Sequence, residues 1–540
     1  MRLTLLLLAA AASALPLAVQ AQTSTSRVVP NSRPDQNPRT MRERKPPISK
    51  PSRARARSTP LKPFVLQSVD IQDSTLPPGL LEAAWRPFVG QSVDTPGLLK
   101  ITDALAQVYE SQGYAIYTVT VPDQTFDNGV LKVRALEGYI DEVVVDAPNP
   151  RDRTLAEAYL AKLKAERPLK RATLERYISL IRDLPGTNNK IALENGAGDA
   201  GVRLKVGLRR QPVQVGLSIN NRGTAYLGRT QVQADLYLNG LLRSGDQTRL
   251  TVASPTDVKR FRSYAVSHSQ PIGSDGLVAS VNAGYLRTRP AGTDLLGHAK
   301  SAGAQLAYPL IRGYDRDVYV TFGVDGIDTD NAFLGYTFAN DRTRAARAAV
   351  SYGQQSDTRQ LFISGSLSQG IDGLGARGDP DLGKLDFRKL NVRGGASFSL
   401  GKLAALRLNA AGQYARDRLP GTEQFAIGGD EYGRGYEASV VAGDRGYGAL
   451  AELAYRPAKA PKMLAGSELY AFADHGKVWY LGRFGNSTSH ADLSSAGGGV
   501  RLQVRNKAIV QIEAAKGLSN DLAFLDKRPW RGVVTIRTLW

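Results

Sequence analysis

The four histidines, His268, His298, His475 and His490, stand apart from one another, and the chain contains no cysteine. That excludes thiol nucleophiles, cysteine–zinc sites and iron–sulfur ligation. No H-E-x-x-H, G-x-S-x-G or P-loop occurs in the 540 residues. Gly373-Leu-Gly-Ala-Arg-Gly378 fits G-x-G-x-x-G, but it follows no buried strand and opens no helix, so it reads as a surface loop. Asp325, Asp328 and Asp330 lie close enough for weak Ca²⁺ binding; a solvated turn is the simpler reading. The sharpest chemistry lies elsewhere. In Gly433-Arg-Gly-Tyr436, Gly433 and Gly435 flank Arg434 and let the backbone turn tightly, so the guanidinium projects from a thin loop tip. Inside a closed fold such a charge needs an anion. In Glu468-Leu-Tyr-Ala-Phe-Ala-Asp-His-Gly476, alternation puts Glu468, Tyr470, Phe472, Asp474 and Gly476 on one polar face. A bidentate Arg434–Asp474 pair would latch the loop. Spacing alone leaves open two unrelated surface charges. This chemistry holds and positions; it implies no enzyme, no cofactor and no metal.

The elements that must position these residues fall into two styles. Phe64–Ile71 alternates like a strand, Pro77-Pro78 opens a helix over 79–88, and a second helix starts near Thr95, whose hydroxyl can cap it. Leu98, Ile101, Leu105, Val108 and Tyr109 recur at helical spacing, and Gly113 ends the helix. Strands 117–122 and 129–136 follow as a hairpin across Asp127-Asn-Gly129. The same β-α-α-β-β order repeats over 140–145, 152–166, 172–183, 188–193 and 202–208, with Pro185-Gly186 stopping the second helix. The domains are thus 63–138 and 139–211, each offering a sheet edge that can accept an extended peptide.

From 212 to 540 helical periodicity disappears. Alternating segments of about ten residues occupy 212–220, 229–239, 246–255, 261–271, 276–288, 299–309, 315–325, 343–355, 358–369, 388–400, 403–415, 444–456, 466–480, 494–504, 507–516 and 531–540. Val232, Ala234, Leu236 and Leu238 oppose Gln231, Gln233, Asp235 and Tyr237, and Val510, Ile512 and Ala514 oppose Gln511 and Glu513. Each strand with its connection has about 20 residues, the allotment of a transmembrane barrel. A soluble sandwich would turn its apolar faces inward. Val534, Ile536, Thr538 and Trp540 share a face, placing Trp540 in an interfacial aromatic girdle that assists membrane insertion. The fold class is therefore a membrane β-barrel of about sixteen antiparallel strands preceded by two small α/β domains. Between strands 11 and 12, residues 416–443 form the long loop that carries Arg434.

Residues 1–21 read as a signal peptide, with Arg2, the apolar run Leu3–Val19 and small residues Val19 and Ala21 at the cleavage positions. A membrane anchor is the alternative. Export excludes nucleotide-driven cytosolic roles. Lys+Arg total 70 against 50 Asp+Glu, a net of +20. The tail 22–62 holds eleven Lys and Arg against Asp35 and Glu43, so 11 − 2 = +9 sits in one proline-broken stretch. It reads as a solvated linker rather than an arm on phosphates or headgroups, and the remaining charge is no nucleic-acid footprint.

Taken together, the chain resembles the outer-membrane transporters of two-partner secretion, the haemolysin secretion/activation family. The resemblance rests on Gly113-Tyr-Ala-Ile-Tyr-Thr-Val-Thr-Val-Pro122, Gly129–Gly138, Leu174–Gly186, Gly433-Arg-Gly-Tyr436 (similar to the family's VRGY loop) and Phe472-Ala-Asp474 (similar to its FxD strand). Gly433 stands where the family often has valine, and the basic tail differs from the pore-plugging helix with which members commonly begin. The resemblance implies two POTRA domains in the periplasm, an outer-membrane barrel, and Arg434 and Asp474 as the inward-loop latch. Its implied partners are one large secreted exoprotein (adhesin, cytolysin or contact-dependent toxin), outer-membrane lipid, and the barrel-assembly machinery for insertion. No nucleic-acid partner is expected, and the chain would act as a monomer. An assembly factor that inserts other barrels is the nearest rival, though such relatives usually carry more POTRA domains. A passive porin-like channel is the rival of another class.

Overall fold

The computed structural model describes residues 62–333, 336–505, 507–519 and 528–539. The expected signal peptide, all but the last residue of the tail, and Trp540 lie outside these residues.

The first module comprises β1 (Phe64–Val65), β2 (Ser68–Gln72), α1 (Pro78–Trp85), β3 (Ser92–Val93), α2 (Thr95–Ser111), β4 (Tyr117–Thr120) and β5 (Val130–Glu137). Its sheet order is β2-β5-β4, with β2 parallel and β4 antiparallel to β5. The apolar stripe of α2 (Leu98, Ile101, Leu105, Tyr109) buries against Leu131 and Val133. Three local expectations change. The first strand breaks after Val65, because Leu66 turns into the core and Gln67 donates to the Gly129 carbonyl at 2.8 Å. The cap of α2 is Asp94, whose carboxylate accepts from the Gly97 amide at 2.8 Å, and Thr95 is already helical. Asn128 and Gly129 do adopt left-handed φ values of 59° and 69°. They do not close a tight hairpin, since β4 ends at Thr120 opposite Arg134 and the turn instead leads β5 in beside β2, with Val130 opposite Ser68.

The second module repeats the plan with β6 (Tyr139–Asp146), α3 (Pro150–Ala165), α4 (Arg171–Arg182), β7 (Thr187–Asn195) and β8 (Gly201–Arg210). Its sheet is β6-β8-β7, again one parallel and one antiparallel pair. Backbone bonds from Ala115 to Leu169, Leu169 to Gly138 and Gly138 to Ile116 sew the two modules together. Burial pushes the phenols of Tyr109 and Tyr159 up to about 12. An unfolded chain loses those protons near pH 10, so stability is intact below pH 10 and falls between pH 10 and 12 by up to about 1.4 kcal/mol per tyrosine per unit. Alkaline titration followed by near-ultraviolet circular dichroism checks this.

The barrel is closed and antiparallel. Its strands are β9 (Val213–Asn220), β10 (Gln231–Asn239), β11 (Gln247–Pro255), β12 (Phe261–Ile272), β13 (Leu277–Thr288), β14 (Leu295–Arg312), β15 (Arg316–Phe333), β16 (Tyr336–Gln355), β17 (Arg359–Gly370), β18 (Arg388–Leu400) and β19 (Ala404–Ala415). Two short loop strands, β20 (Phe425–Ile427) and β21 (Val441–Gly443), precede β22 (Arg445–Tyr455), β23 (Glu468–Tyr480), β24 (Ser489–Val504), β25 (Ala508–Gly517) and β26 (Trp530–Leu539), which pairs back onto β9. Phe322, Val324, Ile363, Leu453 and Ile512 are exposed on the outside, while Asp235, Lys389, Glu452 and Glu513 are buried inside. A sheet survives in lipid only when closed, because every ladder group is then paired.

Each of the sixteen expected segments matches a strand, but β14, β15, β16 and β24 run longer. The three aspartates expected in a turn lie in β15: Asp325 faces inward to Arg347, Asp328 accepts from Arg344 at 2.6 Å, and Asp330 accepts from Asn340 at 2.6 Å. Their carboxylates are spent on cross-strand partners. The hydrophobic alternation that marks a strand ends where both faces become polar, although the ladder continues.

The second module sits on the barrel turns. Arg176 donates to the carbonyls of Pro309 (2.9 Å) and Asp275 (2.7 Å), and Tyr177 to the Asp275 carboxylate (2.8 Å). The buried guanidinium of Arg312 pairs with Asp183 of the module at 2.7 and 2.9 Å and with Asp317. Arg312→Ala would remove the buried guanidinium that joins Asp183 of the module to Asp317 of the barrel, a loss of about 3–5 kcal/mol at that joint. Limited proteolysis of the inserted protein should then detach the modules faster.

Candidate functional site

β9 leaves the second module, so β19, the eleventh barrel strand, ends at the far mouth. Residues 416–443 turn back from there into the lumen, stiffened by β20 paired with β21. Gly428 and Gly429, at φ values of 102° and 104°, start the tip. Gly433 continues it at 82°, a conformation that any side chain strains.

Asp474 projects inward from β23 and meets that tip. Its carboxylate accepts from the backbone amides of Gly433 at 2.7 Å and Arg434 at 3.1 Å, and from the Ser495 hydroxyl at 2.7 Å. The expected bidentate Arg434–Asp474 pair is therefore not formed. The carboxylate lies level with the loop backbone, and the longer arginine side chain passes it. The guanidinium sits 4.6 Å over the Phe472 ring and reaches Glu452 at 3.3 Å and Glu513 at 3.2 Å, while its Nε donates to the Asp430 carbonyl. In the ladder Asp474 pairs with Leu450 and Phe472 with Glu452, so the guanidinium lies one inward-facing row closer to the modules than the amides. The structure thus brings Arg434, Asp474 and Phe472 together through a different set of atoms.

The supporting glycines leave no room for a side chain. A Cβ on Gly435 would lie 2.9 Å from the Gly517 Cα, and one on Gly476 would lie 3.0 Å from Ile427 Cγ2. Tyr436 packs its ring on Gly517 and accepts the Ser519 amide at 2.9 Å. Gly433→Val would force a β-branched residue to φ near 82°, a strain of about 1–2 kcal/mol. It should weaken docking of the tip, so that protease added to the inserted protein cuts residues 428–436 several-fold faster with barrel content unchanged, as read by immunoblot.

Beneath the tip lies a network of acids and arginines that spacing did not single out. Arg407 donates to Glu452 at 2.8 Å and to Glu468 at 2.6 and 2.7 Å; Arg501 reaches Glu452 at 2.9 Å and also Glu468. Glu513 accepts from Arg222 at 3.1 Å and from the Tyr470 hydroxyl at 2.9 Å. Strand parity does place Glu468 and Glu513 on inward faces. Which arginine each meets depends on register between β19, β22, β24 and β25, which no single segment encodes.

Several known proteins share this architecture. The profile described as haemolysin secretion/activation protein ShlB/FhaC/HecB matches residues 198–502, more than half of the chain, and that of the ShlB-type POTRA domain matches 64–138. The heme/hemopexin transporter protein HuxB of Haemophilus influenzae is 22% identical over 464 residues, covering 82% of this chain and 80% of its own. The outer membrane transporter CdiB of Escherichia coli is 25% identical over 384 residues, 67% of this chain and 63% of its own. The solved structure of CdiB from Escherichia coli superposes with a TM-score of 0.72 at 19% identity, covering 92% of this chain and 94% of the other.

Proposed function

Because the chain belongs to the haemolysin secretion/activation family of two-partner secretion transporters, we propose that it recognises one large exoprotein through its two modules in the periplasm and passes it, extended, to the cell surface. The observation that carries this reading is the inward loop. A luminal segment held by Asp474 and Arg434 in a closed sixteen-stranded barrel is a built obstruction, which suits a conduit that opens for a client better than a passive channel. The open edges of the two module sheets, β2 and β4 in one and β6 and β7 in the other, offer unpaired backbone to an extended client segment. Outside the inner membrane no ATP is available, so the drive is folding of the client at the surface, which withdraws translocated chain from the equilibrium. The luminal carboxylates are occupied by arginines and backbone amides, which supports a structural, non-enzymatic use of these charges. The client's class (adhesin, cytolysin, contact-dependent toxin or heme-binding protein) would follow from the family.

Comparing proteins secreted by strains with and without this chain tests the reading. Disappearance of one very large protein is the expected result. Loss of many outer-membrane proteins would point instead to an assembly factor, and an unchanged secretome with altered ion flux to a passive channel.

A further inference from the structure

We propose that Glu423 is a positioning residue for export: with Asp444 it fixes the base of the inward loop, so that only the forward part, held by Asp474 and Arg434, cycles between a docked and a released position, both of which export requires. This rests on the secretory reading above and adds a pivot to it. The Glu423 carboxylate is wholly buried, 2.9 Å from Arg347 Nη2 and 2.9 Å from Lys389 Nζ. Its carbonyl accepts from Lys389 at 3.2 Å and Gln413 at 3.0 Å, and Thr422 Oγ1 lies 3.2 Å from Thr343 Oγ1. Asp444 is equally buried at the other root of the loop. It accepts from the Leu419 and Leu481 amides at 2.7 and 2.8 Å and from Arg483 at 2.8 and 3.0 Å. These anchors grip β16, β18, β19 and the turn after β23, whereas the tip is gripped by β22, β23 and β25 and, through the Arg393–Glu431 pair at 2.8 Å, by β18.

The two grips differ in what release leaves behind. When the tip leaves, Asp474 keeps Ser495, Glu452 keeps Arg407 and Arg501, and Glu513 keeps Arg222, Tyr470 and Gln511. The wall acids Glu452 and Glu513 thus stay paired with arginines, Asp474 keeps only the Ser495 hydroxyl, and the half-exposed Glu431 gives up Arg393. When the base leaves, Lys389 and Arg483 lose the carboxylates that neutralise them in a buried setting, which is the costly way to break an ion pair. The loop therefore behaves as a flap hinged at Glu423 and Asp444.

A chain without cysteine allows a direct test by paired disulfides in the full-length protein. Thr343→Cys with Thr422→Cys locks the base, where the two hydroxyls are already 3.2 Å apart. Ile427→Cys with Gly476→Cys locks the forward part, where a Cβ at 476 would be 3.5 Å from that of Ile427, within the span a disulfide bridges. Oxidised base-locked protein should secrete within about twofold of the reduced form, and oxidised forward-locked protein should fall at least about tenfold and recover with reductant. Reversible loss in the base-locked protein, or undiminished secretion in the forward-locked one, overturns the pivot. If a pair blocks barrel assembly, Glu423→Gln and Glu423→Asp take its place in planar-bilayer recordings. The amide should raise the open fraction and the aspartate restore it; an open fraction unchanged by the amide overturns the proposal. Absence of any client from the unlocked, inserted protein would instead count against the secretory reading.

Discussion

Asp474→Ala is expected to lower client secretion by about tenfold or more while the barrel still inserts, because it leaves two amides of the loop tip without their acceptor. Each buried amide so orphaned costs about 1–3 kcal/mol, enough to shift the tip largely to the undocked state. Arg434→Ala should act in the same direction by removing the guanidinium from Glu452 and Glu513. Atoms rather than proximity distinguish this geometry from a direct ion pair. Exchanging the two charges (Arg434→Asp with Asp474→Arg) would restore a direct pair. Here it should not, since an arginine at 474 cannot accept from backbone amides and an aspartate at 434 would face Glu452 and Glu513. Secretion by the swapped protein should be no better than that of the worse single variant, measured by immunoblot of culture supernatant against barrel content in membranes. Recovery by the swap would refute the amide clamp.

The second large effect is on stability. Asp444→Ala removes a fully buried carboxylate that holds Arg483 and two amides at once. The surviving guanidinium would be buried without its counter-charge, a loss of about 3–5 kcal/mol. The temperature at which the detergent-solubilised barrel unfolds should fall clearly, and Asp444→Asn should fall less, because the amide oxygen still accepts. A midpoint equal to wild type for Asp444→Ala would show that Asp444 bears no such burden.

The barrel was legible because each strand carries its own signal. Val318, Val320, Phe322 and Val324 alternate with Asp317, Tyr319, Thr321 and Asp325, and the lipid-facing and luminal sides follow directly from that period. The signal faded in the outer reaches of β14, β15 and β16. There Asp328 and Asp330 stay in the sheet through Arg344 and Asn340, partners on another strand that local alternation does not report. The cap of α2 shows the same limit on a small scale. Asp94 and Thr95 are both competent caps, and which one serves depends on where the helix begins in the packed module.

For the candidate site, types and parity identified Arg434, Asp474, Phe472 and the glycines around them as a luminal cluster. Loop conformation then chose the atoms. The tip's left-handed glycines present backbone amides, not the guanidinium, to Asp474. Glu423 had no signal at all, since a loop residue has no period to reveal which way it points; Asp444 opens an expected strand on the parity of Glu452, but nothing local names Arg483 as its partner. Sequence alone therefore determined what is local and periodic: the strands, their inward and outward faces, the repeated module order and the residues able to hold a loop. Tertiary structure alone decided the pairings. A buried charge is satisfied by whichever group the closed barrel brings within about 3 Å, and that depends on register and loop path across strands far apart in the chain.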